Sequence, residues 1–178
     1  MTLIGSRIVV IWMATLLSVP LVGCYGPDMT MMVVEREQDG SLVFTIPVCG
    51  NDAPRSVTLK AGTVERGLLS YDYPADSRWS GGDLEFALTD EHVRNGQLGD
   101  FGLVRSGTWN APAPQGIHEL DWILVKTTAG EVSANPSVFA ELDGPAWVVH
   151  GFHSGVDFEP PPAISIDEAH EALREACR

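Results

Sequence analysis

The sequence predicts a mainly β protein, an antiparallel β-sandwich that ends in one short C-terminal α-helix. Three observations carry this. Short runs with apolar residues at every second position recur through the middle of the chain. The pieces between them are rich in Gly, Pro, Asn, Asp and Ser, the residues of turns. Helical spacing appears clearly only after a run of prolines near the end. About eight or nine short strands with short connections suit a sandwich, and that strand number also allows an immunoglobulin-like arrangement. The Cys–Trp–Cys framework of true immunoglobulin domains is absent. With 44% hydrophobic and 20% charged residues in 178, the chain has the balance of one folded domain.

The first two strand candidates are "MTMMVVER" (29–36) and "SLVFTIPV" (41–48). Gly40, after Asp39, supplies the left-handed turn position of a hairpin between them. In the second run Leu42, Phe44, Ile46 and Val48 alternate with Val43, Thr45 and Pro47, so one face is buried. Pro47 has no amide hydrogen for a ladder and marks a strand end or an edge. After the turn "CGNDAPR", "SVTLKAG" (56–62) alternates Val57 and Leu59 with polar neighbours. "GLLSYDYP" (67–74) sets Leu69, Tyr71 and Tyr73 on one face and stops at Pro74. "DLEFALTD" (83–90) sets Leu84, Phe86 and Leu88 against Asp83 and Glu85. "DEHVRNGQL" (90–98) reads as a helical turn or a loop, and "FGLVRSG" (101–107) is a short strand. "HELDWILVKTT" (118–128) is the longest strand candidate, and "SVFAELDG" (137–144) and "AWVVHGF" (146–152) follow. Residues 29–158 are thus expected to form the sandwich domain.

Residues 159–178 form a proline spacer and the C-terminal helix. "EPPP" (159–162) is stiff and extended. In "SIDEAHEALREAC", Ser165 and Glu168 have the spacing of a capping box, which satisfies free amides at a helix start. Ile166, Ala169, Leu173 and Ala176 or Cys177 share one face, which points Cys177 towards the domain.

The chain opens with "MTLIGSRIVVIWMATLLSVPLVGC". Arg7 gives a positive start, Ile8 to Leu17 an apolar run, and no acidic residue precedes Asp28. This is the order of a secretory signal, and the run is too short for a membrane span of about 20 residues. "LVGC" (21–24) has an aliphatic residue, a tolerant position, a small residue and a cysteine. The segment resembles the signal peptide of bacterial lipoproteins. That resemblance implies a diacylglyceryl group on Cys24, fatty acylation such as palmitate, and cleavage between Gly23 and Cys24. Residues 1–23 would be the signal peptide and 24–28 a lipid-anchored tether. The protein would sit on the extracytoplasmic face of the cell membrane, in the cell envelope.

Three cysteines is an odd number for an oxidising compartment. With Cys24 lipidated, Cys49 and Cys177 remain and are expected to pair, two separate thiols being the alternative. The bond would hold the helix over the strand that carries Cys49.

Candidate chemistry concentrates in "HGFHSGVDFE", where His150, His153, Asp157 and Glu159 offer imidazole and carboxylate groups suited to a divalent metal. Their spacing matches no known ligand pattern, and the loop reading is simple solvation. Trp79 in "SRWSGGD" and Trp109 in "SGTWNAPAPQG" sit in polar loops and are candidates for stacking on a sugar or peptide, against the alternative of plugging the core. No G-x-S-x-G, phosphate loop or C-x-x-C is present. No catalytic residue is assigned and no cofactor is expected.

The formal net charge of −13 argues against nucleic acid as a partner, because phosphate binding needs clustered Lys and Arg. The expected role is binding or scaffolding at a membrane, with an envelope protein or a glycan as ligand. Two alternatives are a metal-dependent enzyme built on the His150–Glu159 loop and an accessory subunit of a membrane complex.

Overall fold

The computed structural model describes residues 30–62, 68–74, 79–80, 82–98, 104–107, 109, 112–151 and 158–178. The expected signal peptide, Cys24, His153 and Asp157 lie outside these residues. The described strands are β1 (Met31–Arg36), β2 (Leu42–Ile46), β3 (Pro54–Ala61), β4 (Leu68–Asp72), β5 (Leu84–Leu88), β6 (Val104–Ser106), β7 (Leu120–Thr127), β8 (Glu131–Ala134) and β9 (Ala146–His150). They form two antiparallel sheets, one in the order β5-β2-β1-β9 and one in the order β6-β4-β3-β7-β8. The neighbourhoods β5-β2-β1 and β4-β3-β7-β8 correspond to the E-B-A and C′-C-F-G neighbourhoods of an immunoglobulin-like sandwich, with β9 and β6 added at the edges.

Period-two alternation sets the core between the sheets. Leu42, Phe44 and Ile46 of β2 and Leu84, Phe86 and Leu88 of β5 are buried, while Glu85 is exposed. Phe44 and Phe86 are register partners with their rings stacked at 5.4 Å. The second sheet answers with Val57, Leu59, Leu69, Tyr71, Ile123 and Val125. The β1–β2 hairpin turns at Gly40, whose φ of +85° suits only a residue without a Cβ.

Helices close one end of the sandwich. The segment 90–98 does contain a helix, α1 (Asp90–Asn95), capped by the Thr89 side chain on the amide of His92. A single 3₁₀ turn, Ile117–Glu119, leads into β7. The expected strand 137–144 is instead helical, α2 (Pro136–Glu141). Local capping decides this: the Asn135 side chain accepts from the amide of Val138, and Pro136 opens the helix where no amide is needed. Phe139 is thereby aimed into the core against Trp147, with ring centroids 5.2 Å apart. β7 pairs with β3 on one side and with β8 on the other, and the brevity and turn-rich flanks of β8 disguise it in the sequence.

The C-terminal helix α3 (Ile166–Ala176) has its expected capping box at Ser165 and Glu168. Its stripe of Ile166, Ala169, Ala172 and Leu173 packs on Met31, Val33, Ala146 and Val148. The helix therefore lies over β1 and β9. It does not lie over the strand preceding Cys49, because Cys49 is in the loop beyond β2.

Candidate functional site

Antiparallel pairing brings the start of β1, the end of β2, the start of β3, the end of β7 and the end of β9 to one end of the sandwich. A cleft of about 400 Å³ opens there, lined by Met31, Pro47, Asn51, Asp52, Ala129 and Ala176. Cys49 lines its wall, and the Cys49–Cys177 disulfide ties the C-terminus of α3 to the loop after β2. Thr30 also borders it. Its carbonyl accepts from the amide of Gly151 at 3.1 Å, and its buried hydroxyl has no partner among the described residues.

Asp52 organises the rim. Its carboxylate accepts from the hydroxyl of Thr128 and from the amides of Ala129 at 2.8 Å and Ala53 at 2.9 Å. Partial burial alone would raise this carboxyl. The bonds from Thr128, Ala53, Thr127 and Ala129 outweigh it and hold the group below the ordinary aspartate value. Asp52 is thus an ionised clasp between the β2–β3 loop and the β7–β8 turn. The sequence offered only a turn-like "GND" as a signal, since its partner lies 76 residues away.

Trp79 and Trp109 occupy opposite ends. The Trp79 indole N–H donates to the Gly82 carbonyl at 3.0 Å, and its ring stands edge-on to Tyr73, 5.7 Å away. Tyr73 follows β4 and donates its amide to Arg55 beside the start of β3, so this half-buried pair belongs to the cleft end. The Trp109 N–H donates to the Val93 carbonyl at 2.8 Å, which folds the ring onto α1 at the helical end.

Of the four candidate metal ligands, His150 is exposed at the end of β9, and Glu159 is exposed at the head of the proline spacer. Among the described residues no group of three or more His, Cys, Asp or Glu side chains is placed to share a metal ion. A second groove, beside α3, brings His170 within 3.2 Å of Glu35, with Glu85 and Arg174 nearby. Within the core, burial pushes the Tyr71 hydroxyl up to about 12 despite the opposing charge of Arg105, so it remains protonated near neutrality.

The cleft end thus has apolar lining residues, and the Asp52 carboxylate on its rim is satisfied by the Thr128 hydroxyl and the amides of Ala53 and Ala129. Among the described residues no helix is long and apolar enough to cross a membrane. No protein-family model, curated protein or solved structure matches this chain.

Proposed function

We propose that this protein is a lipid-anchored lipoprotein of the extracytoplasmic membrane face, with a β-sandwich that binds or scaffolds rather than catalyses. The observation that carries the reading is "LVGC" at 21–24, placed after Arg7 and an uncharged apolar run. The pairing of Cys49 with Cys177 supports it, because a disulfide suits an oxidising compartment and Cys24 is then the one cysteine left over.

The test is expression of the full chain in a bacterium, followed by fractionation and mass spectrometry of the N-terminal peptide. Cys24 is expected to be the first residue, carrying a diacylglyceryl thioether, in the membrane fraction. Cys24→Ser is expected to lose the lipid. Cleavage at another bond, or an unmodified Cys24 in the wild-type chain, would sink the reading.

A further inference from the structure

We infer that the cleft end of the sandwich lies against the lipid headgroups and that the end closed by α1 and α2 points away from the membrane. This rests on the proposed lipid at Cys24 and adds the surface that meets the bilayer.

Reach gives the first argument. Thr30 follows Cys24 by six residues, and a fully extended chain of that length spans about 20 Å. Thr30 sits at the cleft, bonded to Gly151. β1 then carries the chain six residues away, about 20 Å at the rise of a strand, to Arg36. Arg36 bonds Pro145 through its amide and Phe139 through its guanidinium, beside α2. An inverted domain would need the tether drawn straight along the whole of β1. An upright domain leaves it slack.

The composition of the end gives the second argument. Tyr73 and Trp79 lie there as a half-buried edge-on pair. Amphipathic aromatic rings are favoured at the level of lipid headgroups, where one side meets hydrocarbon and the other meets water. Ala129 is exposed beside them, and the Asp52 carboxylate is turned inward onto Thr128 and Ala129. With a net charge of −13, the short tether and these rings set the orientation, not attraction to anionic lipid.

The experiment uses the lipidated mature chain, labelled with ¹⁵N, in phospholipid nanodiscs containing a paramagnetic headgroup lipid. Amide signals of Asn51, Tyr73, Ala129 and Arg178 are expected to lose most of their intensity, while Gln38, Arg94 and Glu141 keep theirs. Equal loss at both ends, or greater loss at Gln38 and Arg94, overturns the orientation. Cys24→Ser chain run in parallel is expected to separate from the nanodiscs. If the wild-type chain also separates and carries no lipid, the lipoprotein reading fails and takes the orientation with it. If it stays bound with the wrong broadening pattern, only the orientation fails.

Discussion

Cys177, the residue after α3, is bonded to Cys49, 128 positions away in sequence, with their Cα atoms 5.1 Å apart. The bond closes β3 to β9 and α3 into one loop and fastens the last helix across β1 and β9. In the chain-entropy account a loop this long contributes about 4–5 kcal/mol. Cys177→Ser is therefore expected to lower unfolding free energy by up to that amount in urea titrations. Trypsin should also cut after Arg174 sooner in the variant. Unchanged digestion would mean that packing alone holds α3.

Phe139 is fully buried and touches both Trp147 and Phe158, with ring centroids 5.2 Å and 5.4 Å away. It links α2 to β9 and to the start of the proline spacer. Phe139→Ala removes these contacts and leaves a cavity, so a loss of about 3–5 kcal/mol is expected. Differential scanning calorimetry would show it as a lowered Tm. A loss no larger than that of a surface substitution would contradict this placement of α2.

Asp52 titrates below its ordinary value in the folded protein because its hydrogen bonds outweigh its desolvation. A depressed folded value means that its stabilisation is complete above the unfolded carboxyl value, about 4, and is lost as pH falls through the folded value. The wild type is expected to be more stable than Asp52→Asn at pH 6. The two should converge as pH falls well below about 4. A constant difference across that range would show that the clasp does not depend on charge.

Gly144 has φ +147°, and a Cβ there would overlap Ala163 of the proline spacer and crowd the Trp147 ring at 3.2 Å. Gly144→Ala is expected to cost about 1–3 kcal/mol, since a side chain there is strained at this φ and Ala163 must move aside. Hydrogen exchange should quicken at Ile164, whose amide bonds the Ala146 carbonyl at 2.9 Å. Protection equal to that of the wild type would show that the spacer can shift freely.

Much of the architecture was legible because period two and turn residues are local signals. The hairpin at Gly40, the strands around Phe44 and Phe86, and the capping box at Ser165 all follow from neighbours in sequence. The segment 137–144 misled because Val138, Phe139 and Leu142 are apolar in either conformation, and the Asn135–Pro136 cap settled the matter. The candidate cleft was not legible. Asp52 and Thr128, or Thr30 and Gly151, meet only once the sheets are paired.

By itself the sequence determined a β-rich chain with a terminal helix, and it marked Cys24 as the expected point of attachment. Its two remaining cysteines were a pair only in number. Tertiary structure decided that Cys49 and Cys177 meet, that α3 covers β1 and β9, and that Trp79 and Trp109 lie at opposite ends. The physical reason is range. Alternation, caps and turns act over a few residues, whereas the register of distant strands fixes which loops share an end, and only packing of the whole chain sets that register.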